Sequence, residues 1–408
     1  MGTTSSSGGP LDGLVILDLT HMLSGPYGTM VLTDLGARTI KIEPPGEGEG
    51  TRRLLAGDTE YSRDGMGAYF LTLNRSKESV AIDLKSAQGL EVFYDLVRHA
   101  DIVVDNFGAG VPRRLRIDHS ALSAINPRII TCSVTGFGET GPDTQRPAFD
   151  QVVQAMGGGM SITGTTASGP MRAGIPIGDL GGGVFGAVGI LAAVVARQTS
   201  GCGQHVDVSM LDVQVSLLNY MATMYLMSGN LPGRIGNGHF VHVPYDVYPT
   251  LDGYVVVACI GDAFFERFVA MLPLPELLDP AFKKQPARMA KKAEIDRVIG
   301  AEFEKHSTAH WLSKLREARV PCGPVNNFAQ ALSDPQVVAR EMVVAVPLES
   351  GESIRMPGSP IRFSDSSGTR FTRAPRVGEH SRAVLESVLG YSAQRIDGLY
   401  SAGAIAGD

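Results

Sequence analysis

The segment Ile175-Pro-Ile-Gly-Asp-Leu-Gly-Gly-Gly183 places one carboxylate, Asp179, among glycines. Gly178, Gly181, Gly182 and Gly183 remove side-chain bulk around it, so a large acyl group can approach the backbone closely. That pattern suits a carboxylate nucleophile. An Asp at the start of a glycine-rich helix is also a common N-cap, satisfying orphan backbone N–H groups. The two roles share one geometry, because a helix N-terminus favours the ionised carboxylate and offers N–H donors to a developing oxyanion.

Other constellations compete with this one. Gly181-x-Gly183-x-x-Gly186 with Asp207 downstream matches the spacing of a dinucleotide fingerprint. That fingerprint must follow a strand, whereas Pro176 and Gly178 interrupt what precedes it and Asp207 falls inside its own strand; a nicotinamide site is disfavoured. His306-x-x-x-His310 has helical metal spacing, but Ser307 stands where a zinc-protease glutamate would be, and a surface pair is the simpler reading. His239-x-x-His242 lies in a polar loop without acidic partners, which suits a substrate or structural role better than a metal; no metal site is expected. No GxSxG elbow is present, and nothing marks a cysteine as an activated thiol. Three cation clusters, Arg52-Arg53, Asn74-Arg-Ser-Lys77 and Arg113-Arg-Leu-Arg116, adjoin strands. Each alone reads as solvated surface charge, while three on one sheet fit a phosphate-rich ligand.

The elements that must position these residues alternate in period. Strands are expected at Leu14–Asp18, Thr39–Glu43, Asp101–Asp105, Arg128–Val134 and His205–Ser209, with helices at Thr29–Leu35, Ser86–His99 and Leu122–Ile125 between them. This predicts an α/β fold with a doubly wound parallel sheet and ligands at the strand C-termini. Leu211–Met227 reads as one long helix, Tyr254–Ala258 as a strand, Asp262 to about Ala318 as mostly helical, and Arg382–Leu389 as the last helix. A large domain over 1–224 and 331–408 and a small one over 225–330 are expected. The apolar run Val184–Ala196 is shorter than the roughly 20 residues a bilayer requires, so a buried core helix is expected rather than a membrane span. The net charge of -6 argues against a nucleic-acid partner. Four scattered cysteines without CxxC spacing point to a reducing cytoplasm, and the N-terminus lacks a signal peptide; Gly2 and Ser6 match a loose myristoylation pattern, for which a flexible leader is the plainer reading.

Taken in order, Leu11–Thr20, Ser24-Gly-Pro26, Asp34–Pro44, Leu73–Lys77, Ala100–Phe107, Ile125–Arg128, Gly136–Pro142, Gly178–Gly183, Gly201–Gln204, Val320–Val325, Gly378–His380 and Leu389–Tyr391 resemble the class III CoA-transferases. That family also contains the 2-methylacyl-CoA racemases. The resemblance implies a Rossmann-like large domain plus a smaller α+β domain, in an interlocked homodimer. It implies Asp179 as nucleophile, passing through an aspartyl–acyl anhydride and an aspartyl-CoA thioester. It implies that Lys77, Asn106, Phe107 and Arg114 contact CoA, with Gly181, Gly182 and His239 lining the substrate site. The coenzyme A thioester is then a substrate, and no permanently bound cofactor is expected. Arg116 replaces a glycine frequent in the family, which puts the local backbone in question.

Two departures favour transferase over racemase. Racemases place a histidine where Phe149 stands, and a supporting glutamate where Gly261 stands. Two-sided α-proton exchange needs a base of suitable pKa on each face. The expected reaction is CoA transfer from an acyl-CoA, with succinyl-CoA as donor, to a small dicarboxylic or hydroxy acid such as malate, citramalate or itaconate, with Arg172 and Arg234 as available cations. The alternative is acyl-CoA racemisation.

Overall fold

The computed structural model describes residues 9–365 and 371–407, so the Gly2 and Ser6 match lies outside the described residues. The chain divides into two compact units. One ends its first stretch at Gly159, resumes over Arg172–Gly229 and closes from Ala339 onward; the other comprises Met160–Met171 and Asn230–Val338.

In the first unit six short apolar strands form a parallel sheet: β1 Val15–Asp18, β2 Arg38–Glu43, β3 Glu78–Ile82, β4 Ile102–Asp105, β5 Ile130–Thr135 and β6 His205–Ser209. Their spatial order is β3-β2-β1-β4-β5-β6, with Ile405–Ala406 added antiparallel against β3. Residues such as Ile16, Leu17, Ile40 and Val80 are wholly buried, because helices cover both faces of a parallel sheet. The chain order reverses between β1 and β4, and the crevice beyond their C-termini is where a doubly wound sheet binds ligands.

Four helices position the site: α1 Ser24–Asp34, α2 Ala87–His99, α3 Asp150–Met156 and α4 Ile177–Ser200. Helix α1 starts at Ser24, in the Ser24-Gly-Pro26 start signal that precedes Thr29–Leu35, since Pro26 within the first turn gives up an N–H that lacks a helical partner anyway. Helix α2 is capped by Ser86, whose Oγ accepts the Gly89 N–H at 2.9 Å, and it buries Leu90, Phe93, Leu96 and Val97 on one face.

Helix α4 spans 24 residues and, among the described residues, is the one helix long and apolar enough by composition to cross a bilayer. It is not the wholly buried core helix expected. Gly182, Gly183, Gly186, Ala187, Ile190 and Ala193 are buried, while Val184, Phe185, Val188 and Val195 are exposed. The expected single helix Leu211–Met227 is two, Met210–Leu217 and Asn219–Ser228, parted where Asn219 takes φ 47°. A final helix at Ala393–Ser401, absent from the expectations, packs Ile396 and Leu399 into the core beside β3.

The second unit is α+β. Tyr245–Pro249, Tyr254–Ala258 and Cys322–Pro324 form an antiparallel sheet, and helices pack Phe268, Phe303 and Trp311 into its core.

Candidate active site

Asp179 is the third residue of α4, and Pro176 occupies the N-cap position without a side-chain hydrogen bond. Asp179 is therefore not the cap it was expected to be. Asp150, at the start of α3, takes that role from outside the helix. Its Oδ1 accepts the backbone N–H groups of Gly178 at 2.8 Å and Asp179 at 3.3 Å. Its Oδ2 accepts Nε2 of Gln154 at 2.7 Å, and Gln154 Oε1 accepts the N–H of Ala173 at 2.9 Å. Sequence reasoning missed both; the signal that could have found them is the i, i+4 polar pair Asp150 and Gln154, one helical turn apart. With its orphan N–H groups satisfied by Asp150, the helix start leaves the Asp179 side chain available for chemistry.

Asp179 is half-buried, and its carboxyl pKa is pushed up to about 6, first by burial and then by the charge of Asp150. The helix N-terminus was expected to hold the carboxylate ionised; burial and the second carboxylate outweigh it. The result is a carboxylate more basic than an ordinary aspartate, yet still mostly ionised at neutral pH. The phenol of half-buried Tyr69 is raised to about 12, by burial and then by Asp179, Glu49 and Asp150. It stays protonated and adds a hydroxyl donor within the field of Asp179.

The glycines have a different job from the one expected. A Cβ on Gly183 would lie 2.5 Å from the Ser24 carbonyl oxygen, and one on Gly28 would lie 2.7 Å from the Gly183 carbonyl oxygen. Helices α1 and α4 thus cross backbone to backbone. A Cβ on Gly181 would meet Val213 at 2.8 Å and one on Gly182 would meet Ser24 Oγ at 2.6 Å, so the clearance is taken up largely by protein. The GxGxxG match lies within α4 and follows no strand.

At the sheet's switch point the loops after β1 and β4 are tied together. The His21 N–H donates to Asn106 Oδ1 at 2.8 Å, and Asn106 Nδ2 donates to the His21 carbonyl at 2.7 Å. The Phe107 ring lies 5.3 Å from the His21 imidazole, which burial and the nearby Lys41 hold below its usual pKa. Arg114 is exposed on the short helix Val111–Leu115 that follows. Asn106, Phe107 and Arg114 therefore lie together beyond the C-terminal end of β4.

Lys77 does not join them. Its side chain is wholly buried, and Nζ donates to Asp18 Oδ2 at 2.8 Å, Thr29 Oγ1 at 2.9 Å, Asn74 Oδ1 at 3.0 Å and the Pro26 carbonyl at 3.3 Å. In this position Lys77 ties α1 to Asp18 at the end of β1. While Arg53, Arg113, Arg114 and Arg116 stay exposed, Arg52 and Arg75 are drawn inward in the same way, Arg52 in a buried bidentate pair with Glu43 and Arg75 in a buried pair with Asp34. Their sequence neighbourhood resembles a surface loop; only the tertiary fold supplies the carboxylates that draw them inward.

His239 lies in the second unit, stacked 4.6 Å from Phe240, with its Nδ1 accepting the Val241 and His242 N–H groups. Arg234 of that unit donates to the Thr165 carbonyl, and Arg172 of the first unit to the Ala173 carbonyl. His306 precedes the helix Thr308–Glu317, which Ser307 caps, so the histidine pair is a 4.3 Å ring stack rather than a helical metal pair. Among the described residues no group of three or more His, Cys, Asp or Glu could hold a metal ion.

The comparisons agree with this architecture. The family model described as CoA-transferase family III matches residues 11–381. An acetyl-CoA:oxalate CoA-transferase of Acetobacter aceti is 41% identical, covering 89% of this chain and 91% of its own length. A human succinyl-CoA:glutarate CoA-transferase is 34% identical, covering 97% and 90%. The crystal structure of a CAIB/BAIF family protein from Brucella suis superposes with a TM-score of 0.83 at 34% identity, covering 93% of this chain and all of the other. The switch-point crevice, the glycine-packed α4 and these matches over nearly the whole chain carry one conclusion: this chain belongs to CoA-transferase family III and is a CoA-transferase.

Proposed function

We propose that the enzyme moves CoA from succinyl-CoA to a small dicarboxylic or hydroxy-dicarboxylic acid through covalent intermediates on Asp179. The observation that carries this is the half-buried Asp179 carboxylate, with a pKa near 6 and its backbone anchored by Asp150. An Asp179 oxygen adds to the thioester carbonyl carbon, the C–S bond breaks, and CoA thiolate leaves an aspartyl–succinyl anhydride. The thiolate attacks the Asp179 carbonyl carbon, which releases succinate and forms an aspartyl-CoA thioester. The acceptor carboxylate displaces the thiolate to make a second anhydride, and thiolate attack on the acceptor's carbonyl frees Asp179.

Oxalate and glutarate in the relatives' names support a dicarboxylate acceptor. On this reading Asn106, Phe107 and Arg114 hold CoA at the switch point. The exposed apolar residues Val184, Phe185, Val188 and Val195 of α4 support a homodimer. A cytoplasmic setting fits the four free cysteines. Phe149, 67% exposed beside Asp150, supplies no base, which weighs against racemisation.

The test is to incubate the protein with succinyl-CoA, trap with hydroxylamine or borohydride, and locate the modified residue by mass spectrometry. Modification at Asp179, and loss of transfer in a folded Asp179→Ala variant, is the expected result. Transfer retained in that variant, or solvent deuterium entering an α-carbon with no Asp179 adduct, would overturn the proposal.

A further inference from the structure

Ser24 opens helix α1, immediately after the loop that leaves β1 at the switch point. It is 3% exposed, and its Oγ has no hydrogen-bond partner. Its neighbours on the same helix are served differently. Thr29 Oγ1 donates to Asp18 Oδ2 at 2.8 Å, and Thr33 Oγ1 donates to the Thr29 carbonyl at 2.7 Å. A buried hydroxyl left unpaired costs stability, so its retention calls for a partner that arrives later.

The direction of that hydroxyl is given by Gly182. A Cβ built on Gly182 would lie 2.6 Å from Ser24 Oγ. Gly182 follows Asp179 by three residues on α4, so the two share a helix face. Side chains on a helix lean toward its N-terminus, so the space a residue 182 side chain would fill lies over the turn that contains Asp179. Ser24 Oγ packs at that Cβ position, beside Met210 and Val134, which lie 3.1 and 3.3 Å from it. Helix α1 adds its own field, since its N-cap Leu23 supplies no side-chain hydrogen bond and the 11-residue helix directs its positive end toward this corner.

We infer that Ser24 is a further catalytic residue of this site, its hydroxyl donating to the acyl oxygen on which negative charge gathers when Asp179 adds to a carbonyl. The inference rests on Asp179 being the nucleophile. As the Asp179 oxygen bonds to the carbonyl carbon, the π pair moves onto the carbonyl oxygen, which accepts the Ser24 O–H. The pair returns as the C–S bond breaks. No proton leaves serine in either direction, so the same donor serves each addition in the cycle.

Ser24→Ala and Ser24→Cys test this in the full-length protein with succinyl-CoA. Single-turnover hydroxylamine trapping gives the rate of Asp179 modification, and kcat, KM and melting temperature are measured alongside. The expected result for Ser24→Ala is a fall of about 100-fold in both the modification rate and kcat, the loss typical of one oxyanion donor. KM for succinyl-CoA should hold close to wild type. Melting temperature should hold or rise, because the removed hydroxyl makes no bond in the resting protein. Ser24→Cys, a weak donor of similar shape, should fall in between. A wild-type modification rate in Ser24→Ala, with Asp179 labelled normally, would overturn this inference and leave the nucleophile intact. So would equal losses in both variants accompanied by lower melting temperatures, which mean packing. Absence of any Asp179 adduct in the wild-type protein would overturn the nucleophile and this inference together.

Discussion

Asp150 Oδ1 accepts the backbone N–H of Asp179 at 3.3 Å while its negative charge raises the pKa of the Asp179 side chain. One carboxylate thus fixes where the other sits and how basic it is. A neutral cap would do the first without the second.

That coupling sets a pH dependence. The rate of Asp179 modification should rise with pH through about 6, as the carboxyl loses its proton. Asp150→Asn removes the neighbouring charge and should shift this limb toward the ordinary aspartate value of 3.8. It also turns an amide toward Gln154 Nε2, which then has to flip and release the Ala173 N–H. A pH–rate profile of the variant checks the shift; an unmoved limb would mean that burial alone sets the basicity.

The same group should be visible in stability. Folded Asp179 binds its proton more tightly than unfolded Asp179, so its contribution to stability falls as pH rises between 3.8 and about 6. Asp179→Asn removes that slope. The urea midpoint at pH 4.5, taken relative to that at pH 7, should therefore be lower in the variant than in the wild type.

Gly183→Ala should loosen the α1–α4 crossing. The new Cβ would lie 2.5 Å from a backbone oxygen of Ser24 and 3.0 Å from the backbone nitrogen of Gly28, and neither can rotate away. The expected cost is about 2 kcal/mol or more, read from urea denaturation. Activity should fall with it, because the crossing sets Ser24 against the Asp179 turn.

Lys77→Met tests whether this lysine braces the fold or binds phosphate. Burial pushes its pKa down to about 8 despite the opposing pull of Asp18. Removing the ammonium leaves Asp18 buried with Thr20, Thr29 and the more distant charge of Lys41. Breaking such a pair costs about 3 kcal/mol. A large drop in denaturation midpoint is expected; a rise in KM for acyl-CoA without a stability loss would contradict the bracing role.

Arg116→Gly should stabilise the protein slightly. Arg116 ends the helix Val111–Leu115 at φ 61°, ψ 37°, left-handed backbone that a side chain strains. Glycine relieves that strain but has more freedom to lose on folding, leaving a net gain of about 0.5 kcal/mol. Thermal unfolding checks the sign. Arg116 thus takes the left-handed backbone that a glycine favours.

Much of the fold was legible in local pattern. Strands β1, β2, β4, β5 and β6 were expected within two residues of where they lie, because short apolar runs bounded by turn residues are a local signal. The helix Ala393–Ser401 was not, since its polar surface hides the few residues it buries. Asp179 stood out through its glycines, although for an incomplete reason: their absent side chains admit another helix at least as much as a substrate.

The sequence by itself determined the parallel α/β pattern, the glycine-framed Asp179 and, through ordered motifs, the family. What the tertiary structure decided were matters of partnership. Asp150 reaches Asp179 from 29 residues away, Lys77 meets Asp18 from 59, and Ser24 meets Gly182 across two helices far apart in the chain. Charge, burial and an unpaired hydroxyl acquire meaning only from neighbours in space, and such neighbours leave no spacing in the sequence to read.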